Sequence, residues 1–366
     1  MPARCNAPPR AVAGGRPADW LSYEIHAVQE LGFSTAGEGG MQGPGLFSAG
    51  GSDLRYRAVD ASWHWADEGQ VQARMWVDRL NMKISLEAAD LTIGRQAITF
   101  GKAYFWNPLD VFLAFDPRQF DRDYKAGVDA LRVDFPLGDF SGLNVIGVLG
   151  RSLDAMGQYE TDDTSDASWY GSALLVRLFT NLAEWDLALQ GGKVYGGYQL
   201  GAAASGEWGE VAIRLEGACF MADEDSPSLP YMPDQTQLRD HVTAVLGLGH
   251  RFENELDVQF ELLYNGAGDS EHFEASLLRM MSGDTFHMGE VLSGLVFSYP
   301  ILPILQGSFA WIFSYSDVSS LVQPGFVLSV SDEADFMFGA LIALGARPTS
   351  EGLLPVLNSE FGTYPN

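Results

Sequence analysis

Cysteine and histidine are scarce in this sequence of 366 residues, which contains only two cysteines and six histidines. The cysteines, Cys5 and Cys219, lie far apart and show no metal-ligand or redox spacing. The histidines form no HExxH motif and no other pair at ligand spacing. The sequence therefore excludes a disulfide scaffold and predicts no resident metal ion.

Long apolar runs are missing as well. No stretch reaches the roughly 18 consecutive apolar residues that a membrane-spanning helix needs. The nearest case, residues 292–313, is interrupted by Pro300 and Pro303 and is better explained by two strands around a turn. Residues 1–15 lack the apolar core of a secretory signal peptide. We expect residues 1–18 to form an unstructured leader.

Familiar catalytic motifs are also absent. The sequence has no P-loop, no nucleophile elbow and no dinucleotide-binding fingerprint. It also lacks the CxxCH motif that attaches heme, so any heme would belong to a partner protein. We therefore predict that the protein is not an enzyme and carries no cofactor.

Positive charge is in short supply, because 22 lysines and arginines face 48 aspartates and glutamates, which gives a net charge of −26. Such a chain repels phosphate groups, which argues against nucleic acid as a partner. Two interpretations of the acidic excess stay open. The carboxylates could favour cations in a pore or its loops, or they could serve only to keep exposed loops soluble.

What the sequence does contain is a repeated alternation of apolar and polar residues with a period of two. Val211 and Leu215 alternate with Arg214 and Glu216, and the same period recurs in residues 256–262. This period is typical of a β-strand whose two faces meet different surroundings. Many of the predicted strands span about 10–14 residues, longer than the strands of most soluble sheets.

The connections between these strands alternate in length. Short turns of a few residues separate longer connections at residues 101–126, 151–167, 221–238, 266–285 and 347–358. Short turns at one end and long loops at the other are typical of outer-membrane barrels. We predict an all-β transmembrane antiparallel up-and-down β-barrel of about 16–18 strands. It forms a single domain over residues 19–366, and we expect both of its ends to be truncated.

If the apolar strand faces meet lipid, the polar faces line a lumen. The functional interpretation is a charged lumen that guides ions or polar solutes, and the alternative is a set of ion pairs between strands that fills a narrow interior. The residues assigned to this lining are Arg74, Asp78, Arg132, Asp134, Asp186, Arg214, Glu216, Asp257 and Glu261.

The connection 101–126 is long and rich in both aromatic and charged residues. One hypothesis is that it folds into the lumen and narrows it, so that its charges set selectivity. The alternative is an extracellular cap packed on its own aromatic side chains. The residues assigned to this constriction loop are Trp106, Asp110, Asp116, Arg118, Asp121, Arg122, Asp123 and Lys125.

The most distinctive segment, residues 93–138, contains Gly94-Arg95-Gln96, then Phe105-Trp106-Asn107-Pro108, and Lys125-Ala126-Gly127-Val128-Asp129. Together with Ser359-Glu360-Phe361-Gly362 near the end of the chain, it resembles a family of porin-like outer-membrane β-barrels of delta-proteobacteria and their relatives. That family is similar to alginate-export-like channels and to the barrel component of porin–cytochrome conduits.

The resemblance implies a protein of the bacterial outer membrane, in contact with lipid. Its first implied function is a channel for passive diffusion of ions or small polar solutes. A second is the barrel sheath of an electron conduit, with a multiheme cytochrome as partner. A third alternative, outside the resemblance, is a soluble all-β carbohydrate-binding protein.

Overall fold

The computed structural model of the chain describes residues 10–33, 55–68, 71–112, 125–152, 167–230, 232–269, 272–285, 287–331, 334–347, 349 and 358–363. Within these ranges the protein is nearly all β, and one antiparallel sheet contains 18 strands. The predicted fold class and strand number are confirmed. None of the helices in the described ranges is long and apolar enough to cross a membrane.

The strands have the following bounds: β1 Arg10–Ala18, β2 Leu21–Phe33, β3 Ser62–Glu68, β4 Val71–Ser85, β5 Asp90–Gln96, β6 Val128–Pro136, β7 Gly142–Val148, β8 Ala173–Leu182, β9 Trp185–Val194, β10 Gly197–Trp208, β11 Val211–Ala222, β12 Ser228–Leu229, β13 Met232–Thr236, β14 His241–Arg251, β15 Asp257–Asn265, β16 Val291–Leu302, β17 Leu305–Ser314, β18 Ser319–Ser331, β19 Ala334–Gly339 and β20 Ile342–Leu344. The helix α1 covers Phe273–Ser282, and a 3-10 turn covers Phe361–Thr363.

The sheet follows an up-and-down path. Strands β4 to β11 and β14 to β18 each pair with the next strand of the sheet, and β11 pairs directly with β14 because β12 and β13 form a separate hairpin. At one end β2 pairs with both β1 and β4, while β3 also pairs with β4. At the other end β18 pairs with both β19 and β20. Within the described ranges no ladder joins β1 to β19 or β20.

The two faces of the sheet differ as the alternation predicts. Leu215, Leu246 and Leu262 lie side by side on β11, β14 and β15 and are all exposed. Glu216 and Glu261, which project from the opposite face, are only 5% and 1% exposed. We call these the apolar face and the polar face. A soluble sheet buries its apolar face, so this protein has the reverse arrangement.

Connection lengths differ between the two ends of the sheet. At the end with the β8–β9 turn, Ala183 and Glu184 have φ angles of 51° and 67°, as in tight two-residue hairpins. Gly209 in the β10–β11 turn has a φ of 65°. We call this the short-turn end. The long connections lie at the opposite end, together with two short ones at residues 195–196 and 315–318.

Three segments contain secondary structure that the sequence did not indicate. Residues 10–18 of the expected unstructured leader form β1, which pairs with β2, and residues 1–9 lie outside the described residues. This strand is rich in alanine and glycine and is exposed on both faces, so its sequence shows no clear period of two. The connection 266–285 contains α1, and the connection 221–238 contains the β12–β13 hairpin.

Gly94 in β5 has a backbone that other residues rarely adopt, with a φ of 108°. A Cβ built there would lie 2.3 Å from the Leu80 carbonyl oxygen. We expect Gly94→Ala to lower the free energy of unfolding in urea by about 1–3 kcal/mol. Gly147→Ala is the matched control, because a Cβ at that position meets open space. An equal loss in both variants would contradict this explanation.

Candidate functional site

Residues 97–112 fold back against the polar face, and we call them the folded-back segment. Phe105 and Leu109 anchor it and are 2% and 0% exposed. A Cβ on Gly294 would lie 2.5 Å from Phe105 Cδ2, and a Cβ on Gly201 would lie 2.5 Å from Leu109 Cδ2. Glycine therefore makes room for the segment on β16 and on β10.

Two buried carboxylates of the sheet hold the segment by its backbone. Glu216 on β11 accepts hydrogen bonds from the N–H groups of Lys102, at 2.7 Å, and Ala103, at 3.3 Å. Glu261 on β15 accepts from the N–H groups of Tyr104, Phe105, at 2.7 Å, and Trp106, at 3.3 Å. Five consecutive backbone donors are thus paired with two acidic side chains, which satisfies groups that would otherwise be buried without partners.

Neutral amides hold the next part of the segment. Gln190 Nε2 donates to the Leu109 carbonyl at 2.9 Å, and Gln199 Nε2 donates to the Pro108 carbonyl at 3.2 Å. The two amides are also joined to each other at 3.1 Å. Sequence reasoning missed both residues because they carry no charge. Their positions on the polar rows of β9 and β10 were the available signal.

Asp110 closes the segment on itself. Its carboxylate accepts from the Thr99 hydroxyl at 2.7 Å, from the Phe100 N–H, and from the Gly101 N–H at 3.0 Å. Lys125 Nζ lies 2.8 Å from Asp110 Oδ2, with both side chains buried. Burial lowers the pKa of Lys125, while the charge of Asp110 opposes that shift.

Trp106 connects the segment to the end of the chain. Its indole Nε1 donates to His287 Nε2 at 2.9 Å. His287 Nδ1 pairs with Glu360, whose second oxygen accepts the Gly289 N–H at 3.0 Å. The backbone N–H of Glu360 donates to Asp317. Sequence reasoning assigned no role to His287 or to Glu360, because Trp106, His287 and Glu360 are far apart in the sequence.

Most residues predicted to line the polar face do lie on it. Arg132 pairs with Asp134 at 2.7 Å, and Asn144 also donates to Asp134. The guanidinium carbon of Arg74 lies 4.8 Å from the ring centroid of Trp76 on β4. These contacts agree with the alternative that several of the predicted charges form ion pairs or stacks with neighbouring strands.

The other predicted charges on this face also have polar partners. Asp186 binds the Lys102 ammonium and accepts from Asn181 at 2.8 Å. Arg214 donates to Gln259 at 2.8 Å, and Gln259 donates in turn to Asp257 at 2.8 Å. The structure does not bring all these charges into one cluster.

Asp78 differs from the rest of the predicted lining. It lies at the β-bulge where β4 slips against β2, and it is only 2% exposed. Its carboxylate binds Arg57 at 2.5 Å and accepts the Gly127 N–H at 3.3 Å. Asp78 therefore joins the sheet to its covering segments, which a simple period of two could not reveal.

Of the predicted constriction loop, Trp106, Asp110 and Lys125 are described above. The other five members lie outside the described residues, namely Asp116, Arg118, Asp121, Arg122 and Asp123. In the part of the chain that the structure describes, no group of His, Cys, Asp and Glu side chains could hold a metal ion.

A second polar cluster lies at the loop end of the sheet. Arg55 pairs with Asp284, and its guanidinium carbon lies 4.3 Å from the ring centroid of Tyr195. The hydroxyl of Tyr56 accepts the Tyr195 N–H at 3.0 Å, and its ring packs against Phe112 at 5.2 Å. Burial raises the pKa of Tyr56 to about 12, so its hydroxyl stays neutral at ordinary pH. The cluster joins three connections to the folded-back segment.

The carboxylate of Glu261 is expected to hold the folded-back segment in place. Glu261→Gln replaces an oxygen acceptor by an amide donor that faces N–H groups, so about 1–3 kcal/mol of local stability is lost. Trypsin should then cut after Lys102 in the folded protein about ten-fold faster or more, because local opening exposes that bond.

Glu207→Gln is the matched control for this experiment. Glu207 lies on the same polar face, on β10, and no hydrogen bond to it is found in the described part of the chain. Equal cleavage rates in wild type and Glu261→Gln would show that the carboxylate does not hold the segment.

No protein-family model and no curated protein matches this chain. Solved structures with a similar arrangement include a BenF-like porin from Pseudomonas fluorescens Pf-5, with 9% identity, a TM-score of 0.49 and coverage of 91% of this chain and 84% of that one. OccAB1 of Acinetobacter baumannii has 10% identity, a TM-score of 0.49 and coverage of 91% and 88%. OccD3 of Pseudomonas aeruginosa has 8% identity, a TM-score of 0.47 and coverage of 92% and 84%. At such values the likeness carries no argument, and the fold rests on the strand pairings of this chain.

Proposed function

We propose that the protein is a β-barrel channel of the bacterial outer membrane for passive diffusion of ions or small polar solutes. One observation carries the proposal: the sheet exposes its apolar face and covers its polar face. In water the exposure of Leu215, Leu246 and Leu262 would be unfavourable. In a bilayer the same residues meet hydrocarbon, and the polar face encloses water.

Exposed aromatic residues support this orientation, because aromatic girdles mark the two interfaces of a membrane barrel. Near the short-turn end the exposed aromatic side chains include Trp20, Phe140, Trp208, Phe252, Tyr299 and Phe336. Near the loop end they are Trp63, Trp65, Trp169, Tyr198, Tyr264 and Tyr315.

Barrel closure is part of the proposal. Strands β1 and β19 each have a pairing partner on one side only in the described ladders. Unpaired backbone groups are very costly in hydrocarbon, so the free edges of the sheet are expected to meet in the membrane. The protein would then have no open edge in contact with lipid.

In this channel the folded-back segment forms the constriction. It reaches from Gln190 on β9 to Gly294 on β16 and is fixed at several points along its length. Solutes would pass beside it, past the polar-face charges that we propose as the lining. The segment already fills part of the interior with Phe105 and Trp106, which supports a diffusion channel over a cytochrome sheath. No chemical step is required, so the protein is proposed to act without catalysis.

The first test is electrical. Purified protein reconstituted in a planar lipid bilayer is expected to give stepwise conductance, because ions pass an open lumen. Glu261→Gln should broaden the distribution of step sizes by loosening the constriction, while Glu207→Gln should leave it unchanged. A bilayer that stays sealed at high protein load would contradict the channel.

The second test concerns the apolar face. Phe309→Arg places a charge on that face of β17, and its neighbour Ser308→Arg places the same charge on the polar face. In lipid vesicles, Phe309→Arg is expected to lower the free energy of unfolding by about 2–4 kcal/mol, as for a charge near the bilayer midplane. Ser308→Arg should lower the free energy of unfolding by much less. Equal tolerance of both substitutions would favour a soluble protein.

A further inference from the structure

Arg177 on β8 is a polar-face cation that donates no hydrogen bond to a described residue and pairs with no carboxylate in the described ranges. Its Nε atom is buried without a partner. Its contacts are aromatic, because its guanidinium carbon lies 4.8 Å from the ring centroid of Phe100 and 5.1 Å from that of Phe179. A guanidinium stacked in this way keeps its N–H edge available for an acceptor.

The strand register gives Arg177 no compensating charge. Its direct neighbours in the ladders are Asn144 on β7 and Gln190 on β9, which are both neutral amides. A second cation, Arg132, also approaches the Phe100 ring, at 6.0 Å. Arg132 is already paired with Asp134 at 2.7 Å, whereas Arg177 pairs with no carboxylate in the described ranges, so an anion at this position would stabilise Arg177.

Arg177 borders a cavity of about 390 Å³ between the folded-back segment and the short-turn end. This volume lies within the range of about 300–1,000 Å³ that is usual for small-molecule sites. Its charged lining consists of Lys102, Arg177 and Arg214 against Asp186 and Glu216, which leaves positive charge in excess.

The two carboxylates of the cavity already have partners. Asp186 is bound by Lys102, and Glu216 accepts hydrogen bonds from backbone N–H groups of the folded-back segment through Oε1, while its Oε2 is buried without a hydrogen-bond partner among the described residues. Arg214, by contrast, has only the neutral Gln259 as an acceptor among the described residues, and its ladder neighbours, Ser205 and Gly247, carry no charge.

We propose that Arg177 and Arg214 form a binding site for a small organic carboxylate inside the lumen. The fork of a guanidinium matches the two oxygens of a carboxylate, and the rings of Phe100 and Phe179 offer an apolar surface to the rest of the solute. The protein would thus select anions locally although its net charge is −26. The inference rests on the proposed channel function, since only an open lumen brings solutes to this cavity.

Benzoate is the probe, and benzyl alcohol is its neutral counterpart. In isothermal titration calorimetry of the detergent-purified protein, wild type is expected to bind benzoate and to show no binding of benzyl alcohol. Arg177→Gln should weaken benzoate binding about ten-fold or more, because a charged hydrogen-bonding partner is lost. Arg177→Lys keeps the charge and loses the fork of the guanidinium. Its benzoate affinity should lie between those of wild type and Arg177→Gln.

Lys83→Gln is the matched control. It removes one positive charge from the polar face, but Lys83 is already paired with Asp90 at 2.7 Å, away from the cavity. Its benzoate affinity should equal that of wild type. Folding of each variant is checked by its resistance to trypsin and its urea midpoint. Absence of benzoate heat in wild type, or equal affinity in wild type and Arg177→Gln, would overturn the site.

Conductance separates this inference from the channel itself. Benzoate added to a planar bilayer should reduce the current through wild type more than through Arg177→Gln. Steps that benzoate leaves unchanged would overturn the site and leave the channel standing. Benzoate binding in calorimetry without any conductance would support the site and contradict the channel.

Discussion

The structure depends on one constraint, which is that the two faces of every long strand meet opposite surroundings. A period of two places Leu262 on one face of β15 and Glu261 on the other. Once the apolar face is exposed, the protein cannot obtain its core from it. The interior must be filled from the polar side, and the polar groups there must find partners. The folded-back segment provides both, since it brings apolar side chains to the interior and backbone donors to the buried carboxylates.

The same constraint explains why the core lies where it does. Phe105 and Trp106 of the folded-back segment pack with Leu263, Leu292 and Ile312 of the sheet. The two ends of the segment, at Ile98 and Phe112, join a second cluster, which includes Val128, Ile146 and Leu175 of the neighbouring strands. Both clusters use positions on the polar face that happen to carry apolar residues. The interior is thus solid where the segment lies, and the charged residues remain on either side of it.

The fold was largely predictable from the sequence because its determinants are local. The alternation in β11 and β15 and the difference between short turns and long loops are visible within about ten residues. The elements that the sequence did not indicate lie where that signal is weak. Strand β1 has small residues and no buried face, and it is ordered by its ladder with β2. Helix α1 is a single ten-residue element inside a long connection, and its N-cap makes no side-chain hydrogen bond.

The candidate site was less predictable, because its contacts are long-range. Glu216 and Glu261 were predicted as lining charges, and the structure places both on the polar face. Their partners are backbone N–H groups 114 and 157 positions away for Lys102 and Tyr104, and no spacing rule could foresee that. For the same reason sequence reasoning did not predict the roles of Gln190, Gln199 and Arg177. Sequence reasoning can assign a side chain to a face, but it cannot say which charges already have a partner and which remain open to a solute.

The two segments that carry the family resemblance meet in space. Trp106 belongs to the first, Glu360 to the second, and His287 stands between them with a hydrogen bond to each. All three side chains are buried. A change at any one of them would leave a polar group without a partner and would disturb the segment that we propose as the constriction. The chain of contacts from Trp106 to Glu360 gives a physical reason for two distant motifs to occur in one sequence, because each is needed to seat the same piece of backbone.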